Sequence, residues 1–291
     1  MTPFAQGLGF PEAPVLMPDG SFLLVEMSPD KGCVVRASRD GGYRTVLAST
    51  GRPNGLALDR AGFVWVAETA MRAVLKMKQD GSFKVHVRQG PDRPFRFLND
   101  LAFAPNGDLY VTDSGVLPEE IMPGGELVSH YRSLKYDGRV YRIDAHSGAA
   151  SCVDQGLEFA NGIAFGPDEA LYVAETLSGN IYRYAWRDGA ALGRRELFGN
   201  VLERFDPAHL RGPDGMKFGE DGHLYVAVFG QSDVAVLDRG GRVVRRLGTQ
   251  GSCPTNLAFA ERGTRQIYVT EAETGTVQIL DAGVDGYRLY G

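Results

Sequence analysis

Apolar residues in this chain come in short β-type runs, not at helical spacing. Phe22-Leu23-Leu24-Val25, Val64-Trp65-Val66-Ala67, Leu109-Tyr110-Val111, Leu171-Tyr172-Val173-Ala174, Leu224-Tyr225-Val226 and Ile267-Tyr268-Val269 each follow a turn segment. Runs of this kind between glycine-bearing turns read as strands. Each is preceded by a shorter phrase that begins with a small polar group and continues apolar: Asn54-Gly55-Leu56-Ala57-Leu58, Asn99-Asp100-Leu101-Ala102-Phe103, Asn161-Gly162-Ile163-Ala164-Phe165, Asp214-Gly215-Met216-Lys217-Phe218 and Thr255-Asn256-Leu257-Ala258-Phe259. Glu12-Ala13-Pro14-Val15-Leu16 is a weaker first copy. A glycine turn then follows in several copies, as in Asp40-Gly41-Gly42, Asp80-Gly81, Asp188-Gly189 and Gly240-Gly241. Such pairs tolerate positive φ and favour hairpins. The best helical stretch, Asp206 to Leu210, is short.

Self-similarity at this period is the signature of a propeller, with one blade per unit. The pattern predicts an all-β, six-bladed β-propeller with four antiparallel strands per blade, a single domain spanning 1–291. The stretch before Glu12 is expected to add an outer strand to the last blade and close the ring. A β-sandwich or two small barrels would not explain six similar units.

Aligned on the turn before the second strand, the copies place an oxygen-bearing side chain at one position. The residue eight before Gly20, Gly62, Gly107, Glu169 and Gly222 is Glu12, Asn54, Asn99, Asn161 and Asp214 in turn; two extra turn residues in the sixth copy give Thr255. Every one carries a side-chain oxygen. First strands line the central channel of a propeller, so these six positions are expected to ring one end of the axis. Hard cations take such oxygens, and Glu12 and Asp214 match a divalent charge. Turn chemistry alone explains an Asn-Gly start, but not Glu12 beside Ala13-Pro14. A second register, Glu26, Glu68, Asp113, Glu175 and Glu271 with Val228 as the exception, is expected to be solvated strand ends or partners of backbone amides rather than metal ligands. Segment 115–138 is an insertion carrying Glu119, Glu120, His130 and Tyr131, read as a lid over the ring; segment 199–213 is a second long loop.

Composition narrows the class. The chain has 291 residues, 43% hydrophobic, with 38 glycines and a net charge of −5. No basic excess exists to hold a phosphate backbone, so nucleic acid is not an expected partner. No apolar run is long enough for a membrane helix. The N-terminus lacks the basic and apolar regions of a signal peptide, so a cytoplasmic location is expected. The three cysteines, Cys33, Cys152 and Cys253, form no disulfide framework or zinc spacing. No Gly-x-Ser-x-Gly elbow, phosphate loop or His-Glu-x-x-His motif is present.

The residues then resemble the senescence-marker-protein, gluconolactonase and luciferin-regenerating-enzyme family over nearly the full length. Glu12-Ala13-Pro14 is similar to its early Glu-Gly-Pro motif, with Ala13 in place of the glycine. Asn99-Asp100, Asn161-Gly162 and Pro213-Asp214-Gly215 resemble its motifs in the third, fourth and fifth blades. The resemblance implies a divalent metal on Glu12, Asn161 and Asp214, with Asn99 beside metal and substrate. It implies lactone hydrolysis, with relatives that cleave phosphotriesters. Insertion 115–138 departs from the sugar-lactone enzymes toward strictosidine-synthase-like propellers, some of them metal-free.

The expected function is therefore a metal-dependent hydrolase opening a small lactone. One divalent cation is expected, Ca²⁺ first, with Mg²⁺, Mn²⁺ or Zn²⁺ as alternatives. The metal ligands are Glu12, Asn99, Asn161 and Asp214. Asp214 doubles as general base, and Asn99, Asn54, Tyr131 and His130 contact substrate. The alternatives are an ester or phosphotriester hydrolase on the same site, a metal-free strictosidine-synthase-like propeller, or a non-catalytic small-molecule-binding propeller.

Overall fold

The computed structural model describes residues 3–191, 193–206, 208–288 and 290. Six four-stranded antiparallel sheets stand in a ring. The innermost strands are Pro11–Leu16, Pro53–Leu58, Leu98–Phe103, Ala160–Phe165, Gly212–Phe218 and Pro254–Phe259. The second strands, Phe22–Glu26, Val64–Glu68, Leu109–Asp113, Leu171–Glu175, Leu224–Phe229 and Gln266–Glu271, are the apolar runs of the sequence and are almost wholly buried between blades. Outer strands such as Arg44–Ser49 and Phe83–Val87 are largely exposed.

Each turn from first to second strand carries a left-handed residue at the position used to align the copies. These are Gly20, Gly62, Gly107 and Gly222 at φ 77–88°, and Glu169 and Arg265 at φ 60° and 56°. The sixth turn, two residues longer, has a second left-handed residue, Gly263 at φ 91°. The last blade takes its outer strand from the other end of the chain: Ala5–Gln6 pairs with Thr276 and Val277. That pairing closes the ring, as expected. Blade four carries an added two-stranded hairpin, Trp186–Arg187 with Ala190–Ala191.

The candidate helical stretch at Asp206–Leu210 forms no helix over its described residues. Asp206 instead caps a turn, accepting from Ala208 N at 3.0 Å and lying 2.9 Å from His209 Nδ1; Pro207 is outside the described residues. Short polar residues of this kind satisfy nearby backbone groups and so compete with helix. The α-helix lies in the insertion, at Pro118–Ile121, with two 3₁₀ turns after it. Among the described residues no helix is long and apolar enough to cross a membrane. All three cysteines are unpaired.

Candidate functional site

Strand pairing puts the predicted ring in one register. Pro11, Pro53, Leu98, Ala160, Pro213 and Pro254 pair with Glu26, Glu68, Asp113, Glu175, Val228 and Glu271 respectively. Glu12, Asn54, Asn99, Asn161, Asp214 and Thr255 each come next. All six are at least nine-tenths buried.

Within the next few residues every inner strand has a bulge: one extra residue stands against its partner strand. A bulge breaks the strict alternation of faces. The residue after each ring position is Ala13, Gly55, Asp100, Gly162, Gly215 and Asn256. Three of them are glycine because the neighbouring blade fills their side-chain space. A Cβ on Gly55 would meet Asp100 Cα at 2.7 Å, one on Gly162 the Asp214 carbonyl oxygen at 2.0 Å, and one on Gly215 the Asn256 amide at 2.0 Å. Asp100 and Asn256 thus form a second tier beneath the ring. Asp100 accepts from Leu101 N at 2.8 Å, and Asn256 bonds both Asp100 and Glu12.

Hydroxyls fix the ring amides. Asn99 donates to Ser114 Oγ at 3.2 Å and Asn161 to Thr176 Oγ1 at 3.0 Å. Those hydroxyls in turn donate to the next blade, Ser114 to the Ala160 carbonyl at 2.9 Å and Thr176 to the Pro213 carbonyl at 2.9 Å. Thr69 does the same to Leu98 at 2.9 Å. In the sixth blade Thr255 itself is the latch, donating to the Pro11 carbonyl at 2.8 Å. The amide nitrogens are therefore engaged. Asn161 Oδ1 and Asp100 Oδ2 are buried with no hydrogen-bond partner among the described residues.

The second acidic register serves backbone amides. Glu26 accepts from Gly9 N, Asp113 from Arg96 and Phe97 N, Glu175 from Glu158 N, and Glu271 from Cys253 N, at 2.7–3.2 Å. Each anchors the segment leading to an inner strand.

Burial, above all, raises the Glu12 pKa, to about 8; the charge of Asp100 adds to it, while the Ala13 N–H, Asn256 and Lys217 oppose it. Burial likewise holds Asp214 well above the ordinary carboxylate range, helped by the charges of Glu12 and Asp100. Asp100 is raised by burial and opposed first by Lys217. Three carboxylates thus share one buried volume. Among the described residues, no three His, Cys, Asp or Glu side chains come close enough to hold an ion by themselves.

This order of motifs on a six-bladed ring has known counterparts: residues 10–273 match the SMP-30/gluconolactonase/LRE-like region. The chain belongs to that family. It is 28% identical to diisopropyl-fluorophosphatase of Loligo vulgaris, covering 96% of this chain and 91% of that protein. It is 28% identical to gluconolactonase of Zymomonas mobilis, covering 89% and 75%. A solved gluconolactonase of Xanthomonas campestris superposes with a TM-score of 0.78 at 24% identity, covering 96% of this chain and 88% of that one. The last likeness shows the fold.

Insertion 115–138 packs on the ring end of this family fold. Tyr131, Ile121 and Val116 join Phe97 and Leu177, with Phe159 and Leu210 against them. Phe97 and Phe159 directly precede inner strands, so the insertion covers the ring face over blades three and four. Arg72 pairs with Glu119 at 2.9 Å, and Arg132 donates to the Leu177 carbonyl at 3.1 Å. Beside it lies a hollow of about 550 Å³, lined by Val128, Tyr131, His209, Arg211, Phe229 and Cys253.

The sequence-predicted residues divide. Glu12, Asn54, Asn99, Asn161 and Asp214 share the ring. Tyr131 is buried in the insertion's apolar cluster, its Oη without a partner among the described residues. His130 is exposed at the start of a 3₁₀ turn. Sequence reasoning missed Asp100 and Asn256. The signal for both was present: at the position after the ring, only these two copies carry a polar side chain, and three carry glycine.

Proposed function

We propose that the chain is a hydrolase of small lactones or esters whose polar ring holds one divalent cation. Glu12, Asn99, Asn161 and Asp214 are the protein ligands. The observation that carries this is the Asn161 carboxamide: its nitrogen is tied to Thr176 while its oxygen, fully buried, has no partner. An unpartnered buried oxygen beside raised carboxylates calls for a positive charge. Oxygen donors alone suit a hard ion, Ca²⁺ first, with Mg²⁺, Mn²⁺ or Zn²⁺ as alternatives. Membership of the family, and relatives named for lactone and fluorophosphate hydrolysis, support the reaction class.

When bound, the cation polarises the scissile carbonyl and stabilises the developing oxyanion. The chain's own residues do the rest. Asp214 accepts the proton of the attacking water at its carboxylate. Glu12, held by Ala13 N at 2.8 Å, is the structural ligand. Asn99 and Asn54 orient the substrate. Insertion 115–138 restricts access to the ring and excludes bulk water.

The test is a panel of sugar lactones, other lactones, aryl esters and phosphotriesters, run after EDTA treatment and with each cation restored. Lactone turnover lost in EDTA and regained with Ca²⁺ is the expected result. Preference for the phosphotriesters would move the assignment to that substrate class. Full activity in EDTA contradicts the metal assignment. No turnover of any substrate contradicts the hydrolase itself.

A further inference from the structure

Toward the turns that end the inner strands the channel becomes apolar. The next-to-last inner-strand residues are Val15, Ala57, Ala102, Ala164, Lys217 and Ala258. Five are small or apolar and one is lysine. All six line one cavity of about 350 Å³, together with Phe103, Phe165 and Phe259 from the last position. The C-terminal segment adds a further wall: Gly286 bridges Gly219, Tyr287 N donates to the Phe218 carbonyl at 2.8 Å, and Tyr287 and Tyr290 both line the cavity. The exposed Arg262, in the turn after the sixth inner strand, also lines it, so the cavity reaches the surface opposite the polar ring.

Lys217 is the odd residue of that wall. A lysine whose stem lies on apolar surface ordinarily carries its ammonium to bulk water. This one turns back on its own strand: Nζ donates to the Met216 carbonyl at 3.1 Å, and among the described residues it makes no other hydrogen bond and no ion pair. An ammonium has three donors, so two are unused. The other two charged residues of the lining are already engaged. Arg262 pairs with Glu220 at 2.8 Å, and the Asp285 carboxylate accepts from Gly263 N at 2.9 Å and from Arg265 N at 3.1 Å. Mostly apolar walls with one convergent charged group are the composition of a small-molecule pocket. Ordered water fits such walls poorly, since each molecule needs several polar partners.

We propose that this cavity is a second ligand site, for a small apolar monocarboxylate that pairs its carboxylate with Lys217 and lays its hydrocarbon body along the alanine and phenylalanine walls. A carboxylate supplies acceptors for both unused ammonium protons. One lysine neutralises one charge, which favours a monoanion over a dianion whose second charge would be left unpaired. The apolar walls favour a hydrocarbon body over a sugar, whose hydroxyls would be buried there without partners. The cavity lies at the other end of the channel from the ring and is lined by none of the ring side chains. The inference therefore stands apart from the cation and the hydrolysis proposed above.

The experiment is isothermal titration of the full chain with octanoate and with 1-octanol, for wild type, Lys217→Met and Lys217→Arg. It is run in EDTA, so that no cation at the ring can hold the carboxylate. Wild type should bind octanoate more tightly than octanol. Losing a hydrogen bond between charged groups should weaken octanoate about 10- to 100-fold in Lys217→Met and leave octanol within about twofold of wild type. Lys217→Arg keeps the charge and should keep the preference for octanoate. Hexanoate should bind wild type more weakly than octanoate, by about fourfold for each methylene removed. Circular dichroism checks the fold; Lys217→Gln, with a neutral polar head, reports the same loss if the Met variant does not fold. Absence of octanoate binding to wild type at millimolar concentration overturns the proposal. So does binding that the neutral variants leave intact, or binding that appears only when Ca²⁺ is added, which would place the carboxylate at the ring.

Discussion

The carboxamide nitrogen of Asn161 is held by Thr176, with the Asp214 carboxyl beside it, and that of Asn99 by Ser114. Side chains positioned in this way present an oxygen without further ordering cost when a ligand arrives. Two expectations follow at this scale. Asp214→Asn keeps an oxygen ligand but removes a proton acceptor, so hydrolysis should fall by at least ~10²-fold even at saturating cation. Glu12→Gln should weaken cation affinity and be partly rescued by excess metal. Equal rescue of both variants would leave Asp214 a ligand only. The base would then be sought elsewhere: Asp113 and Glu175 are occupied with backbone amides, and His130 is exposed, which leaves Asp100. The second expectation concerns pH. Glu12 has a pKa of about 8 in the fold against an ordinary 4.5. Between those values the native state holds a proton that the unfolded chain has released. Stability in chelator is therefore greatest below the ordinary carboxylate pKa and falls as pH rises through about 8. A bound divalent cation takes the proton's place, and the slope should flatten. Thermal unfolding from about pH 5 to about pH 8.5, with EDTA and with Ca²⁺, reads this directly; a flat profile in EDTA contradicts it.

Between blades, the strands touch through backbone. Gly162 faces the Asp214 carbonyl so closely that a Cβ would stand 2.0 Å from it. Backbone cannot rotate away as a flexible side chain can. Gly162→Ala should therefore cost about 1–3 kcal/mol, as overpacking does, and weaken cation binding by displacing Asp214. Urea unfolding and titration together check it; loss of stability with unchanged cation affinity would show that the strand shifts without moving the ring. The insertion is the other element to test. Replacing Pro118–Leu134 with a short Gly-Ser linker uncovers Phe97, Phe159 and Leu177, which the insertion now covers. The melting temperature should fall, the β-sheet dichroism should remain, and relative kcat/KM across lactones of different size should change. Unaltered kinetic constants would remove the lid from the account of specificity.

The whole ring is closed by two residues, Ala5 and Gln6, against the last blade. Removing residues 1–9 deletes that strand and the amide of Gly9, which Glu26 accepts at 2.7 Å. Blades one and six then lose their bridge, and the expected result is a lower denaturant midpoint for the whole molecule, not local fraying. A transition unchanged from wild type would show that contacts between blades hold the ring without it. Much of this architecture was legible in the residues. The second strands are continuous apolar runs because both of their faces are buried between blades. The left-handed turns are marked by glycine in four of six copies, and the count of residues from turn to ring is constant. Those local rules fixed the strand count, the blade number and the position of Glu12, Asn54, Asn99, Asn161 and Asp214. Other features were not legible. Thr255 carries the right atom, but the closing blade uses it to reach Pro11. His130 and Tyr131 lie in an insertion with no repeat to align them. Asp100 and Asn256 were hidden because strict alternation would turn them away from the axis, and only the bulge brings them in.

The sequence by itself determined the repeat, the closure and the ring of oxygens, because strand period, turn conformation and chain direction are local properties repeated six times. The tertiary structure decided what stands across the axis from what. Residues far apart in sequence, Glu12, Asp100, Asp214 and Asn256, come from four different blades and meet only once the ring is closed. Their charges then act on one another in a volume that water does not screen. The proton affinity of the site belongs to that meeting and to no single strand.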